Sequence, residues 1–164
     1  MTVMNAIEMR RSIRAYAERP VEAEILNRVM EAGRLAPTAG NHQNLKFIAV
    51  ADPNLKAKLG ACGPDFIADA PVLMAVCATA QSTMRCGQPR ETIDASIALS
   101  FMMLEAAELG LGTCWIGHFD ADAAAKVLAL PPQAYVVALT PLGYPAESPD
   151  ARPRKAIEII AEYR

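Results

Sequence analysis

The chain has 164 residues and a formal net charge of −2 at pH 7; 52% of its residues are hydrophobic and 5% are aromatic. This composition predicts one domain over residues 1–164 with a packed core, and it excludes a largely disordered chain. The charge argues against a nucleic-acid-binding surface, and the chain lacks the roughly 18 consecutive apolar residues of a membrane helix. Glu8, Arg10, Arg11 and Arg14 interrupt any apolar run within the first 14 positions, which argues against a signal peptide. We therefore expect a cytoplasmic protein with neither nucleic acid nor membrane as partner.

The cysteines and histidines do not form a metal-binding pattern. None of the four cysteines belongs to a C-x-x-C pair, and the sequence has two histidines, so we expect no zinc or iron–sulfur site. Cys77 and Cys114 lie in apolar, strand-like runs and are expected to be buried and unreactive. The sequence assigns no role to Cys62 or Cys86. Reduced thiols are consistent with the cytoplasm.

Hydrophobic periodicity and turn residues predict an alternation of helices and strands. The predicted elements, in chain order, are helices Thr2–Arg11 and Glu22–Ala36, strand Leu45–Ala51, helix Pro53–Leu59, strand Pro71–Thr79, loop Gln81–Arg90, helix Glu91–Leu109, strand Thr113–Ile116, helix Asp120–Leu128, strand Ala134–Leu139, and a short apolar segment, helix or strand, at Ala156–Ala161. This order indicates an α+β or α/β domain with a small sheet.

The predicted helix Glu91–Leu109 is apolar over most of its circumference. At 100° per residue its acidic side chains fall within an arc of about 100°, and these are Glu91, Asp94, Glu105 and Glu108. A helix of this kind must be covered from several directions. It is therefore either the central helix of a monomer or part of a dimer interface.

The first segment that could bind a ligand is Arg10-Arg11-Ser12-Ile13-Arg14. Guanidinium groups match the geometry of phosphate and can bind it in a bidentate manner. In an extended backbone, Arg10, Ser12 and Arg14 would share one face and grip an anion, while Ile13 enters the core. The alternative is a solvated basic end of the first helix, favourable to the helix dipole.

A second cationic cluster, Arg152-Pro153-Arg154-Lys155, lies near the other end of the chain. A basic tail is a common feature and is one interpretation. Two such clusters in a chain of net negative charge have a joint explanation: both neutralise the same anion. We predict that they converge.

Two loops can present polar main-chain and side-chain groups to a ligand. Residues 36–43 (APTAGNHQ) lie between a helix and a strand and are rich in flexible and amide-bearing residues. The glycines of residues 109–120 follow a helix and precede a strand, which is the wrong order for a Rossmann fingerprint. The sequence contains no P-loop, G-x-S-x-G or H-E-x-x-H motif.

Taken together, these segments resemble the nitroreductase family of FMN enzymes. The motifs occur in family order between Asn5 and Glu158, and they are R-R-S-x-R, A-P-[ST]-x-x-N-x-Q, F-I-A-D-A-P-V, L-G-L-G-T-x-W-I-G and R-x-R-K. The resemblance implies an α+β fold, a three-layer α/β/α sandwich with a small mixed sheet and a long central helix at the dimer interface. It also implies an obligate homodimer whose two FMN sites are each built from both subunits.

The resemblance also implies which residues bind the flavin. The phosphate, ribityl chain and pyrimidine edge would be held by Arg10, Arg11, Ser12 and Arg14, with Arg152, Arg154 and Lys155 completing the phosphate site. The partner subunit would supply a wall formed by Pro37, Thr38, Ala39 and Asn41. The reactive flavin nitrogen N5 would lie beside main-chain N–H groups around Ile116, Gly117 and His118. No catalytic side chain is predicted, and the participation of His118 is left open.

The chain departs from the family pattern at three places. Asn44 and Leu45 follow Gln43, where family members often carry proline and an aromatic residue. The chain is too short for the long insertion that covers the active site of larger members, so only Gln81–Arg90 would roof the substrate pocket. The amide and lysine that larger members place near the flavin have no match in Leu59–Phe66.

The implied function is transfer of hydride from NAD(P)H to FMN and then, in a ping-pong sequence, to a small-molecule electron acceptor such as a nitroaromatic compound or a quinone. Alternatives with the same fold are reductive dehalogenation, flavin fragmentation with oxygen, and flavin binding without turnover. A structural dimer with basic surface clusters is the interpretation without flavin.

Overall fold

A four-stranded antiparallel sheet is the middle layer of the computed structural model, which describes residues 2–164. The strands are β1 (Leu45–Val50), β2 (Val72–Ala78), β3 (Gly112–Thr113) and β4 (Tyr135–Gly143), in the order β1-β2-β4-β3. The helices are α1 (Val3–Met9), α2 (Ala23–Arg34), α3 (Pro53–Gly60), α4 (Arg90–Glu108), α5 (Ala121–Val127) and α6 (Ile157–Ile160), with 3-10 turns at Ala39–Asn41 and Asp65–Ala68.

Strand β2 is covered on both faces, and this makes the fold three-layered. All seven of its residues are buried. Met74 and Val76 join the core under α2 and α4, whereas Leu73 and Ala75 join a second core under α3 and α5. Because side chains alternate across a strand, this single apolar run supplies both cores. The predicted three-layer α+β sandwich is confirmed.

Helix α4 packs against the sheet and α2, as its apolar circumference predicted. Leu99 and Met102 are almost fully buried in the first core. On another side of the helix, Phe101 remains 42% exposed. It lies in an apolar groove of about 440 Å³ together with residues of α1 and α2, among them Val3, and with Leu35. One side of α4 is therefore not covered by the rest of this chain.

The strands differ from the prediction in length and pairing. Strand β4 continues beyond Leu139 through Pro141 to Gly143, although proline is rare inside a sheet. Strand β3 is shorter than expected, and Ile116 forms an isolated bridge with Leu139. All named strand pairs are antiparallel. The mixed character expected of the sheet is limited to an isolated parallel bridge between Ser12 and Thr113.

Candidate functional site

The segment 10–14 runs alongside β3 because Ile13 is anchored in the protein interior. Ile13 is 5% exposed, and its N–H donates to the oxygen of Thr113 at 2.9 Å. A Cβ atom on Gly112 would lie 2.8 Å from the Cβ of Ile13, so this close approach requires glycine. The prediction that Ile13 enters the core is confirmed. The side chains on either side of Ile13 are thereby directed towards a cavity at the surface.

Two distant segments of the chain line this cavity, which has a volume of about 470 Å³. Residues 10–14 contribute one wall and residues 149–154 the other. Its lining includes five arginines and a hydroxyl group, namely Arg10, Arg11, Arg14, Arg152, Arg154 and Ser12. Glu8 and Asp150 are the acidic residues of the lining. The two cationic clusters converge as predicted, except that Lys155 is not part of the lining. We call this space the anion cavity.

The arginines of the anion cavity differ in how far their guanidinium groups are already engaged. Nη1 of Arg11 donates to the main-chain oxygens of Glu8 at 2.5 Å and Arg10 at 3.0 Å, at the C-terminal end of α1. Nη1 of Arg14 donates to the oxygen of Ser12 at 3.3 Å. Within residues 2–164, no carboxylate forms an ion pair with any of the cavity arginines. Their positive charge is available to an anion, and Arg11 also stabilises the helix end.

Hydrogen bonds between residues 14–17 and 144–147 hold the two walls together. The N–H of Ala146 donates to the oxygen of Ala15 at 2.9 Å, and the N–H of Ala17 donates to the oxygen of Tyr144 at 2.8 Å. Oε1 of Glu147 accepts from the N–H groups of Arg14, at 2.5 Å, and Ala15, at 3.3 Å. Glu147 belongs to no motif recognised in the sequence, since its partners lie more than 130 positions away.

A shallower groove continues from the anion cavity along α4. It has a volume of about 380 Å³ and shares Arg10 and Ser12 with the cavity. Ser100, Met103, Leu104 and Trp115 complete its lining. A polar, cationic space thus leads into a space with apolar and aromatic walls.

The loop 36–43 contacts the N-terminal half of α4. The N–H of Ala39 donates to Oδ1 of Asp94 at 3.0 Å. The hydroxyl of Thr38 accepts from the N–H of Gln43 at 3.1 Å, and Asn41 has a positive φ of 55°. Helix α4 has 19 residues, so its ends are about 27 Å apart. The lining of the anion cavity and of the groove beside it includes none of Pro37, Thr38, Ala39 and Asn41.

Gly117 and His118 follow the bridge between Ile116 and Leu139. Both main-chain groups of Ile116 are engaged in this bridge, at 2.9 and 3.1 Å. Gly117 and His118 are exposed, and within residues 2–164 neither N–H has a main-chain partner. Neither residue lines the anion cavity. Their N–H groups are thus available to a ligand placed elsewhere on this surface.

The acidic stripe of α4 is not a uniform solvent face, because Glu91 and Asp94 are buried. Oε1 and Oε2 of Glu91 accept from the hydroxyl and N–H of Ser82, both at 2.8 Å, and Asn44 donates to Oε1 at 3.4 Å. Although burial alone would raise it, these hydrogen bonds hold the pKa of Glu91 below its usual value. This burial of Glu91 could not be inferred from the sequence, because the helical period places the residue among the other acidic side chains of α4. Asn44, one of the two residues that differ from the family pattern after Gln43, thus has a structural role, because its amide helps to bind the carboxylate of Glu91.

The burial of two cysteines agrees with the sequence. Cys77 and Cys114 are buried, and burial raises the pKa of Cys77 to about 11. Residues 2–164 contain no group of three or more metal-ligating side chains. Over the same range, no helix has both the length and the apolar character needed to cross a bilayer.

Fold and site together define an α+β sandwich with an arginine-lined anion cavity at its surface. The model of the nitroreductase family matches residues 7–62 and 60–144, and the chain belongs to this family. The recognition made from the sequence motifs is confirmed.

Relatives with similar length support the assignment. A protein from Methanothermobacter thermautotrophicus, described as an NADH dehydrogenase/NAD(P)H nitroreductase, is 32% identical over 93% of this chain and 82% of its own. A nitroreductase family protein of Clostridium difficile 630 superposes with a TM-score of 0.90 at 30% identity, covering 99% of this chain and 98% of that one. An FMN-dependent nitroreductase of Clostridium difficile R20291 has a TM-score of 0.81 at 29% identity, with coverages of 92% and 91%.

Proposed function

We propose that this protein is an FMN-dependent NAD(P)H oxidoreductase that works as a homodimer in the cytoplasm. The observation that carries the proposal is the convergence of five arginines from both ends of the chain around one cavity. The relatives that are named for FMN or NAD(P)H chemistry, and are similar over most of their length, support the same interpretation.

The residues of the anion cavity fit the phosphate of FMN. A flavin phosphate is a compact dianion, and guanidinium groups without carboxylate partners are its best protein ligands. Ser12 adds a hydroxyl that can donate to a phosphate oxygen. The adjoining groove with Met103 and Trp115 offers apolar surface to the remainder of the molecule.

The roles of the residues follow from this placement. Arg10, Arg14, Arg152 and Arg154 bind and neutralise the phosphate, and Ser12 donates a hydrogen bond to it. The chemistry that FMN supplies when bound is acceptance of hydride from the nicotinamide donor and transfer of electrons to the acceptor. The protein supplies binding, orientation and charge. The exposed N–H groups of Gly117 and His118 are donors for the ring system. No side-chain acid or base is required for this chemistry.

A second copy of the chain completes the site in this proposal. The loop 36–43 contacts the N-terminal half of α4 at Asp94, whereas the groove beside the anion cavity contacts the second half of the helix, from Ser100 onward. Antiparallel packing of α4 against its copy about a two-fold axis would bring the loop of one subunit to the cavity of the other. Phe101 and the apolar groove beside it provide uncovered surface for this contact.

A nicotinamide donor and an electron acceptor would occupy the same open position in turn. Residues 81–90 form a short hairpin in which the N–H of Arg90 donates to the oxygen of Ser82 at 3.0 Å. In the proposed dimer the hairpin of the second copy would be the only roof, so the site would admit planar acceptors of different sizes, such as nitroaromatic compounds and quinones. The hairpin is attached to the first turn of α4 through Glu91.

The test begins with purified protein and a titration with FMN, followed by flavin fluorescence and by light scattering for the dimer. Oxidation of NADH and NADPH is then measured with a nitroaromatic compound and with a quinone. The proposal expects bound flavin, a dimer, and turnover with at least one donor and acceptor. Failure to bind FMN, or a stable monomer at micromolar concentration, contradicts it. Bound flavin without any turnover would instead indicate a flavin-binding protein.

A further inference from the structure

Glu147 is a negatively charged residue at the edge of a site built for an anion. It lines a groove of about 240 Å³ that shares Arg10, Arg11 and Pro149 with the anion cavity. On electrostatic grounds alone, a carboxylate here opposes the binding of phosphate. Its presence therefore calls for a structural reason.

The hydrogen bonds of Glu147 supply that reason. Oε1 accepts from two consecutive main-chain N–H groups, those of Arg14 and Ala15. Arg14 is the last cationic residue of the first wall, whereas Glu147 lies just before the second wall, residues 149–154. The carboxylate thus connects the two walls at the point where they leave the rest of the fold.

We propose that Glu147 is a positioning residue for phosphate binding, which fixes the Arg14–Ala15 peptide so that the two arginine clusters face each other. This inference rests on the proposed function, because FMN is taken as the ligand. Glu147 does not touch the anion. Glu147 supports FMN binding through its acceptor oxygen and not through its charge. Substitutions that remove the acceptor should therefore weaken FMN binding, although the loss of a negative charge alone would strengthen it.

Glu8 is the matched control. It is also exposed, and it lines the anion cavity itself. Within residues 2–164 Glu8 contributes its main-chain oxygen, not its carboxylate, to hydrogen bonding. Because this carboxylate lines the cavity itself, removal of its charge should make FMN binding tighter.

The experiment measures the dissociation constants of FMN and riboflavin for the full-length protein and its variants. Glu147→Gln keeps an acceptor oxygen and should bind FMN at least as tightly as the parent protein. Glu147→Leu should bind FMN about tenfold more weakly, the loss expected for one hydrogen bond. Riboflavin, which lacks the phosphate, should be affected less. Glu147→Asp keeps the charge but is one methylene shorter, and it should also weaken FMN binding.

Hydrogen exchange provides a readout that does not depend on flavin. The amides of Arg14 and Ala15 should be protected in the parent protein and in Glu147→Gln, and should exchange faster in Glu147→Leu and Glu147→Asp. If the leucine variant does not fold, the aspartate variant makes the same test.

Three results would overturn the proposal. The first is a folded Glu147→Leu protein that binds FMN as tightly as the parent, and the second is equal weakening by the glutamine and leucine variants. The third is weakening by Glu8→Leu to the same degree as by Glu147→Leu. If the parent protein does not bind FMN, the proposed function fails, and amide exchange alone decides whether Glu147 positions this peptide.

Discussion

Substitution of Gly112 by alanine should destabilise the fold and distort the anion cavity together. The new Cβ would lie 2.8 Å from the Cβ and Cγ1 atoms of Ile13 and 2.9 Å from its Cγ2, whereas favourable carbon contacts lie at about 3.5–4.0 Å. Ile13 cannot yield easily, because a β-branched side chain is stiff at χ1 and its N–H is bonded to Thr113. We therefore expect the segment 10–14 to move as a whole.

The expected loss is about 1–3 kcal/mol in the free energy of unfolding, the usual cost of overpacking. Urea denaturation measures it, and an FMN titration of the same protein should show weaker binding. Gly117→Ala is the control for stability, since the nearest atom to its new Cβ is Nε1 of Trp115 at 3.8 Å. This control should change the free energy of unfolding by less than about 1 kcal/mol.

A double-mutant cycle isolates the contact. Ile13→Ala alone should cost about 2–5 kcal/mol as a large-to-small core substitution. Because Ile13→Ala removes both Cγ atoms and leaves only the Cβ contact, part of the overlap with the new methyl group is relieved. The double variant should then lose less than the sum of the two single losses by about 1 kcal/mol. Additive losses, or a Gly112→Ala protein with the stability of the parent, would refute the proposed contact.

Further predictions concern the charges and thiols. Arg10→Ala should weaken FMN binding markedly more than Arg11→Ala, because the guanidinium of Arg11 already donates to main-chain oxygens at the end of α1. Equal losses of affinity in FMN titrations would contradict this. Since the pKa of Glu91 is lowered in the folded state, its contribution to stability should be present above the unfolded pKa of about 4.5 and lost as the pH falls through the folded pKa. Glu91→Gln should accordingly be less stable at pH 7 and show a shallower decline in urea midpoint between about pH 5 and 3. Cys86 is exposed and should react with a thiol reagent in the native protein, whereas Cys77, with a pKa raised by burial, should react only after unfolding.

Elements with strong local signals were predictable from the sequence. The helix expected at Glu91–Leu109 is observed at Arg90–Glu108, since a long apolar repeat ends at a glycine that favours a helix terminus. The unbroken apolar run at Pro71–Thr79 likewise became β2, buried on both faces. In both cases the chain itself carries the information, because period and length distinguish a helix from a strand.

Features that depend on distant contacts were not predictable. Glu91 has the helical position of a solvent-facing residue, and it is buried because Asn44 and the hairpin with Ser82 fold over it. The extension of β4 through Pro141 depends on its pairing with β2, where Leu73 lies opposite the proline. Neither contact leaves a local pattern in the sequence.

The two halves of the candidate site differ in how they could be inferred. Convergence of residues 10–14 with 152–154 followed from charge, because two cationic clusters in a net-negative chain are best explained by a shared anion. No such argument was available for the loop 36–43, which contains no lysine, arginine, aspartate or glutamate. It is held at Asp94 in the N-terminal half of α4 and does not line the anion cavity of the same chain. In the proposed dimer the length of α4 has a functional meaning, because it sets the distance over which one subunit must reach to complete the site of the other.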